Sequence, residues 1–278
     1  MKIAIVTGAS SGMGRETAIQ LADQFGRMSE IWLIARRAER LDELEKILPV
    51  PARKFAIDLT DKSALKKLQN ALEELKPEVK FLVNASGYGK IGCVGTITFE
   101  EETGMPALNC EALCAVTHMV LPYMCRKSRI IQYASAAAFV PQPGFAVYSA
   151  TKAFVLSYSR ALNEELKSRQ IKVTAVCPGP VKTEFFTIAE TSGKIPFYKR
   201  FTMADPVKVV RLAIRDSILG KPVSVYGPVM KAFRILTKVV PHEIIFKIMA
   251  ALASGQVTAP EADAAETAEK VTGHKAKT

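Results

Sequence analysis

The sequence predicts an α/β fold, because short apolar runs of strand length alternate along the chain with longer segments of helical periodicity. A second observation is the order strand, glycine-rich loop, helix at the beginning of the chain, which favours a nucleotide-binding site. The 278 residues suffice for one large domain or two small ones, and no internal repeat or linker divides them.

Seven apolar runs are predicted as strands: Ile3–Val6, Glu30–Ala35, Lys54–Ile57, Lys80–Val83, Ile130–Ala134, Lys172–Val176 and Pro222–Tyr226. Between them, helical patterns predict helices at Thr17–Phe25, Ala38–Leu48, Lys62–Leu75, Met105–Arg126, Tyr148–Lys167 and Pro206–Leu219. Proline supports two of these bounds, since Pro77 follows the third helix and Pro206 begins the last.

The composition is that of a globular protein with a basic excess. Hydrophobic residues make up 49% of the chain and charged residues 23%, while the formal net charge is +11. Such a charge suits an anionic ligand, a nucleic acid or an acidic membrane surface. We expect no nucleic acid partner, because the basic residues are scattered and no recognisable binding module is present.

The cysteines and the first residues bear on the compartment. Cys110 and Cys114 share a helical face, but no further ligand follows at metal-site spacing, so no metal site is predicted. We interpret all five cysteines as buried thiols in a reducing compartment: Cys93, Cys110, Cys114, Cys125 and Cys177. Residues 1–6 are too short for the apolar core of a signal peptide, which favours a cytoplasmic location.

The loop after the first strand predicts a phosphate site. Its sequence, Thr7-Gly8-Ala9-Ser10-Ser11-Gly12-Met13-Gly14, stands between a strand and a helix, where backbone N–H groups and the helix N-terminus point at an anion. Its spacing, Gly-x-x-x-Gly-x-Gly, departs from the common Gly-x-Gly-x-x-Gly fingerprint. The alternative is that the glycines only make a tight turn.

Two arginines follow the second strand and predict the cofactor. Folds that bind NAD place a carboxylate about 20 residues after the glycines, whereas an arginine there accommodates the 2′-phosphate of NADP. This chain has Arg36 and Arg37 at that point, with Arg15 or Ser10 available to assist, which favours NADP(H). The alternative is that one or both arginines only begin a solvated helix.

A tyrosine and a lysine four residues apart, Tyr148 and Lys152, lie on one face of a predicted helix. A lysine ammonium about 4 Å from the phenol would favour the phenolate by up to roughly 4 kcal/mol, or about 3 pKa units before desolvation. That would make Tyr148 an acid/base catalyst. Ser135, at the carboxyl end of the fifth strand, faces the crevice where open α/β sheets bind ligands. A solvated surface pair is the alternative for Tyr148 and Lys152.

Taken in order, these motifs resemble those of the short-chain dehydrogenase/reductase family: the glycine loop, Ser135 and Tyr148-x-x-x-Lys152. The resemblance runs from residue 3 to about 227. It implies one doubly wound α/β domain of the Rossmann type, with a seven-stranded parallel sheet in the order 3-2-1-4-5-6-7.

The resemblance also implies the roles of individual residues. Asp58 would bind the adenine amino group, Thr183 the nicotinamide carboxamide, and Asn109 would distort its helix around a water that joins Lys152 to solvent. Asn84-Ala85-Ser86-Gly87 departs from the usual Asn-Asn-Ala-Gly. The predicted catalytic residues are Ser135, Tyr148, Lys152 and Asn109. The predicted cofactor-binding residues are Gly8, Ser10, Ser11, Gly12, Met13, Gly14, Arg36, Arg37, Asp58, Leu59, Asn84, Ala85, Ser86, Gly87, Tyr148, Lys152, Pro178, Gly179, Val181 and Thr183.

Beyond the strands, the chain predicts a lid, a helical extension and a tail. Residues 184–204 mix polar residues with aromatic ones, Phe185, Phe186, Phe197, Tyr198 and Phe201, and resemble the substrate lid of the family. Residues 228–252 form two basic amphipathic segments, which we expect to pack on the domain 1–227, a subunit contact or a membrane surface being the less favoured readings. Residues 253–278 predict a disordered tail.

The predicted function is reversible hydride transfer between NADP(H) and a hydrophobic ketone or secondary alcohol, such as a steroid, acyl or xenobiotic carbonyl. The resemblance implies a homodimer or homotetramer. Two alternatives remain open: a protein that senses NADP without catalysis, and a reductase of lipids or sterols at a membrane surface.

Overall fold

The computed structural model describes residues 1–26, 28–189 and 203–253, and within them the seven strands form one parallel sheet. The strands are β1 (Lys2–Thr7), β2 (Glu30–Ala35), β3 (Ala52–Ala56), β4 (Glu78–Asn84), β5 (Met124–Tyr133), β6 (Lys172–Val176) and β7 (Val223–Ser224). Their order is β3-β2-β1-β4-β5-β6-β7, and every neighbouring pair is parallel. The predicted doubly wound fold and its strand order are confirmed.

The helices follow the predicted alternation. They are α1 (Gly12–Gln24), α2 (Ala38–Glu45), α3 (Lys62–Leu75), α4 (Phe99–Pro106), α5 (Leu113–Val120), α6 (Ala146–Glu165), α7 (Glu184–Ala189), α8 (Pro206–Ile218), α9 (Pro228–Val239) and α10 (His242–Ala253). Helix α1 begins five positions before the predicted Thr17, because the end of the glycine loop forms its first turn.

The predicted helix Met105–Arg126 is wrong at both ends. It starts at Phe99, where the Thr98 hydroxyl accepts a hydrogen bond from the Glu101 N–H and so caps the helix. Its C-terminal end passes through a 3₁₀ turn at Leu121–Tyr123, where Pro122 has no N–H to continue the helix. The residues from Met124 to Arg126 belong to strand β5 instead.

The core lies on both faces of the sheet, as the alternation of side chains along a strand requires. On one face Ile3 and Ile5 of β1 pack with Leu68 and Leu72 of α3. On the other face Ala4 and Val6 of the same strand pack with Leu21 of α1. The sheet is therefore held between two helical layers, and the ends of its strands are left to carry the site.

The chain divides into two compact units, residues 1–242 and 243–278. Helix α9 belongs to the first unit, where the rings of Phe233 and Phe139 lie 6.4 Å apart. How the predicted extension 228–252 packs as a whole stays a prediction. The aromatic residues Phe197, Tyr198 and Phe201 of the predicted lid lie outside the described residues, as does the predicted tail after Ala253. Within the described ranges, none of the helices has both the length and the hydropathy to cross a bilayer.

Candidate active site

The glycine loop between β1 and α1 has the geometry of an anion cradle. Gly8 and Gly12 have positive φ values of 68° and 53°. A Cβ on Gly14 would lie 2.3 Å from the Gly8 carbonyl oxygen, and one on Gly8 would lie 2.8 Å from the Ala85 backbone. Ser11 precedes α1 without a side-chain cap, so the first amides of the helix remain available to a ligand. These residues fit the pyrophosphate of a dinucleotide.

Thr7, the last residue of β1, ties this loop to the loop after β4. Its hydroxyl accepts hydrogen bonds from the N–H groups of Ala85, at 3.1 Å, and Ser86, at 3.2 Å. Asn84 sits at the end of β4, and its side-chain nitrogen donates to the Thr117 hydroxyl of α5 at 3.0 Å. The Asn84 amide therefore faces α5, and it is the backbone of Ala85 and Ser86 that lies against the glycine loop.

The carboxyl end of β2 carries the predicted phosphate-binding arginines. Arg37 Nη2 lies 3.3 Å from the Ser10 Oγ atom and 3.0 Å from Glu184 Oε2 at the start of α7. Arg36 Nη1 lies 3.7 Å from Asp58 Oδ2, and its side chain is 72% exposed. The structure thus brings Ser10, Arg37 and a carboxylate together, while Arg36 stays in solvent beside Asp58. Sequence reasoning missed Glu184, which lies 147 residues from Arg37.

Asp58 follows β3 and accepts two hydrogen bonds from Thr60, from the N–H at 2.9 Å and from the hydroxyl at 2.7 Å. Burial raises its pKa, but the Thr60 bonds and the Arg36 guanidinium lower it more, so the net pKa lies below the usual range. A charged acceptor is therefore held at the place predicted for the adenine. Leu59 beside it is buried.

The predicted catalytic residues Ser135, Tyr148 and Lys152 lie close together. Tyr148 and Lys152, on α6, are both buried, with 6% of each exposed. Lys152 Nζ donates to the Tyr133 carbonyl oxygen at 2.8 Å and lies 5.7 Å from the centre of the Tyr148 ring. Ser135 begins a short 3₁₀ turn, Ala136–Phe139, and its hydroxyl bonds the Tyr148 side chain. Ser135, Tyr148 and Lys152 thus form one cluster.

The expected effect of Lys152 on the tyrosine is wrong for this arrangement. Burial raises the pKa of Tyr148 to about 12, and the Ser135 hydrogen bond lowers it only in part. Burial also lowers the pKa of Lys152 to about 8. Desolvation wins because the ammonium is directed at the Tyr133 carbonyl and both groups are shielded from water. The phenol is therefore held in its protonated form at neutral pH.

Asn109 lies in a π-helical turn, Ala107–Ala112, that joins α4 to α5. It is buried, and its side-chain oxygen accepts from the Tyr88 N–H at 3.1 Å, while its nitrogen donates to the Tyr88 carbonyl at 2.9 Å and to the Thr151 hydroxyl at 3.0 Å. The helix is distorted at Asn109, as the resemblance implied.

Gly87 lies between Asn109 and Lys152 and leaves them room. A Cβ placed on it would lie 2.8 Å from Asn109 Oδ1 and 3.3 Å from Lys152 Nζ. The loop after β4 therefore touches both polar side chains, and the glycine is required by this close approach.

The segment after β6, from Pro178 to Thr183, lies beside the turn that holds Ser135. The Pro178 carbonyl accepts from the Ala136 N–H at 2.8 Å, which fixes the segment to the turn that holds Ser135. Val181 is buried and pairs with Ala204. Thr183 faces the glycine loop, since a Cβ on Gly12 would lie 3.4 Å from the Thr183 Cβ. A Cβ on Gly179 would meet the Met230 sulfur of α9 at 2.6 Å.

Aromatic rings surround Tyr148, the predicted proton donor, and sequence reasoning missed these contacts. The Tyr148 ring stacks on Phe145 with centroids 4.3 Å apart and meets Phe185 of α7 at 5.3 Å. Gly89 permits this packing, because a Cβ there would lie 2.6 Å from the Tyr148 ring. The spacing of Phe145 and Tyr148 on one helix was the available signal for the first contact.

The cysteines take no part in a metal site among the residues described, which contain no cluster of three or more His, Cys, Asp or Glu side chains that could hold an ion. All five are free thiols. The prediction that all are buried is confirmed only for Cys177, whose pKa burial raises to about 12. Cys93 is exposed, and Cys110, Cys114 and Cys125 are partly exposed.

Known proteins are similar to this chain in sequence and in fold. The family model described as short chain dehydrogenase matches residues 2–192. A serine 3-dehydrogenase of Rhizobium radiobacter is 34% identical over 68% of this chain and 75% of its own. A very-long-chain 3-oxoacyl-CoA reductase-B of Danio rerio is 32% identical over 73% of this chain and 67% of its own.

A solved short-chain dehydrogenase from Sphingobium yanoikuyae, in complex with NADPH, superposes with a TM-score of 0.72 at 27% identity. The match covers 95% of this chain and 99% of the other. The family match spans the glycine loop, the π turn and the Tyr148 helix described above. The chain is a member of the short-chain dehydrogenase/reductase family, and it is a nicotinamide-dependent oxidoreductase that acts on an alcohol/carbonyl pair.

Proposed function

We propose that this protein is an NADPH-dependent reductase of hydrophobic ketones. The observation that carries the proposal is the state of Tyr148: it is buried among aromatic rings, bonded to Ser135 and protonated at neutral pH. A protonated phenol is the form that reduction consumes, because the new alkoxide needs a proton donor. When bound, NADPH supplies hydride to the carbonyl carbon.

The side chains around that carbon have separate roles. The Tyr148 hydroxyl gives its proton to the developing alkoxide, and the Ser135 hydroxyl donates a hydrogen bond that orients the same oxygen. Lys152, whose pKa burial lowers to about 8, exchanges protons close to neutral pH. Asn109 donates to the Tyr88 carbonyl and to the Thr151 hydroxyl, and Thr151 donates to the Tyr148 carbonyl. These bonds fix the backbone on either side of Lys152.

The cofactor preference rests on charge. Arg37 offers a guanidinium to a 2′-phosphate, with Ser10 as a second donor, and in the present structure Glu184 occupies that guanidinium. No carboxylate follows β2 at the place where NAD-binding folds bond the ribose hydroxyl. The NADPH bound to the related Sphingobium yanoikuyae enzyme is consistent with this preference.

The substrate class rests on the wall around Tyr148. Met105, Ala137 and Phe145 are buried with it, and Tyr88, Ile91, Ile97, Val147 and Phe185 pack against this cluster. A polar substrate would lose hydration against such a wall, whereas an apolar ketone gains by the contact.

The test is a spectrophotometric assay of NADPH oxidation with acyclic, steroid and 3-oxoacyl ketones, comparing the wild type with Tyr148→Phe. We expect turnover to fall about 10²- to 10⁴-fold in the variant, while the NADPH dissociation constant changes less than about twofold. Tyr123→Phe, which removes a phenol from the 3₁₀ turn before β5, is the matched control. Turnover of Tyr148→Phe near that of the wild type would refute the assignment of the acid.

A further inference from the structure

Helix α9 has a face that packs on the protein, a basic edge and an exposed apolar face. The exposed apolar face has no role in the proposed reaction. Met230, Phe233 and Thr237 face the protein, and Phe233 meets Phe139 at 6.4 Å. At 100° per residue, a separate stripe runs down the side of the helix turned away from these residues. Its members are Val229, Ala232, Ile235, Leu236 and Val239.

The stripe is apolar and open. Val229 is 61% exposed, Ile235 65%, Leu236 49% and Val239 76%, and the exposed Ala232 lies among them. Single exposed apolar side chains are common on protein surfaces, but a row of five on one helix face is the pattern of an interaction surface.

The charges beside the stripe identify its partner. Lys231 and Lys238 are exposed and lie along one edge of it, between the stripe and the face that packs on the protein. Helix α9 has no acidic residue, and from Ser217 to His242 the sequence has four basic residues and no Asp or Glu. An apolar stripe bordered by lysines suits the headgroup region of an anionic bilayer, where the apolar side chains enter the acyl boundary and the lysines reach the phosphates.

We propose that helix α9 docks this protein on anionic lipid membranes, with the stripe of Val229, Ala232, Ile235, Leu236 and Val239 inserted and Lys231 and Lys238 at the headgroups. The helix lies in the plane of the membrane surface. A second copy of the chain is a poorer occupant, because two such faces would bring four lysines together with no acidic residue of α9 to balance them. The proposal is independent of the reaction proposed above.

The test is flotation of the full chain with vesicles of phosphatidylcholine alone and of phosphatidylcholine with about 30% phosphatidylglycerol. We expect binding to the anionic vesicles only. Lys231→Gln with Lys238→Gln should weaken it roughly fivefold per lysine and remove most of its salt dependence. Ile235→Asn, Leu236→Asn and Val239→Asn combined should weaken it about a hundredfold or more.

Two controls carry changes of the same kind elsewhere. Ile47→Asn with Val94→Asn alters side chains that are 54% and 69% exposed, and Lys66→Gln with Lys67→Gln removes two exposed lysines of α3. Both controls should bind vesicles as the wild type does. Circular dichroism and NADPH titration of every variant establish that the fold is kept.

Three results would overturn the proposal. One is a wild-type chain that stays unbound with anionic vesicles, and another is a triple variant that floats like the wild type. The third is sedimentation showing a dimer that the triple variant converts to a monomer while neither binds lipid, which would assign the stripe to a second copy. Reductase activity in solution is unaffected by any of these results, so the two proposals fail separately.

Discussion

Arg37 Nη2 lies 3.0 Å from Glu184 Oε2, so the arginine after β2 is joined by an ion pair to the first residue of α7. Arg40 Nη2 adds a weaker contact to the same carboxylate at 4.0 Å. The pair spans the entrance beside Ser10, where a 2′-phosphate is expected. Glu184 therefore occupies the guanidinium that a 2′-phosphate would use, so the two anions would compete for it.

Arg37→Ala should weaken NADPH binding much more than NADH binding. A charge-assisted contact to the phosphate is worth about 2 kcal/mol, which corresponds to roughly a thirtyfold rise in the NADPH dissociation constant. Titration of protein fluorescence with each cofactor measures the difference. Arg53→Ala, which breaks an ion pair with Glu30 on the sheet edge, is the control. Equal losses for both cofactors would show that Arg37 does not read the phosphate.

Glu184→Gln should have the opposite effect. Removing the competing carboxylate frees Arg37, and because the pair is half-exposed the gain in NADPH affinity is modest, at most about fivefold. NADH affinity should stay within about 1.5-fold by the same reasoning. The same titration measures both, with Glu43→Gln, which also pairs with Arg40, as the control. A loss of NADPH affinity in Glu184→Gln would mean that the carboxylate assists binding.

Lys152→Met should stabilise the protein at neutral pH while it abolishes turnover. The folded pKa of Lys152 is about 8 and the unfolded value is 10.5, so the folded chain releases a proton more readily. Below pH 8 the buried ammonium costs stability, and wild-type stability rises with pH from about 8 to 10.5. The methionine removes that cost, worth up to about 3 kcal/mol before the lost bond to Tyr133 is counted.

Urea unfolding at pH 7 and pH 10 measures this change. The advantage of Lys152→Met should be largest at pH 7 and should shrink at pH 10. The exposed Lys66→Met should show no such trend. An advantage that does not depend on pH would show that Lys152 is not desolvated in the folded protein.

Gly87→Ala should damage the catalytic cluster through one methyl group. Its Cβ would fall 2.8 Å from Asn109 Oδ1, so Asn109 or the loop must move at a cost of about 1–3 kcal/mol. Gly26→Ala adds the same methyl where no atom lies within 4 Å and should leave stability within about 0.5 kcal/mol. Urea midpoints of the two variants, compared with the wild type, test the contrast; equal midpoints would exclude a tight contact at Gly87.

Much of the fold was predictable because its signals are local. The strands are short apolar runs. The glycine loop has positive φ values at Gly8 and Gly12, and glycine is the residue that adopts such values most readily. The meeting of Ser135, Tyr148 and Lys152 was also predicted: the end of a strand places Ser135 at the crevice, and the resemblance to the family joins it to the tyrosine and lysine of the helix.

The contacts that sequence reasoning missed join distant parts of the chain. Nothing near Arg37 marks Glu184 as its partner, and the Tyr133 carbonyl that binds Lys152 is a backbone atom that every residue has. The pKa of Tyr148 was misjudged for a related reason: spacing on a helix gives the distance to a charge, whereas burial depends on rings such as Phe185 that arrive from other elements.

The π turn at Ala107–Ala112 has a consequence for the length of the chain. Such a turn holds one residue more than a regular helix, and that surplus lets Asn109 reach both Tyr88 and Thr151. Deleting a single residue between Ala107 and Ala112 would let α4 and α5 join as one regular helix in the same phase, because the π turn absorbs that residue. Asn109 would then lose the wider turn that places its amide against Tyr88 and Thr151. The irregular turn is therefore part of the site, because a regular helix would direct the Asn109 side chain away from these partners.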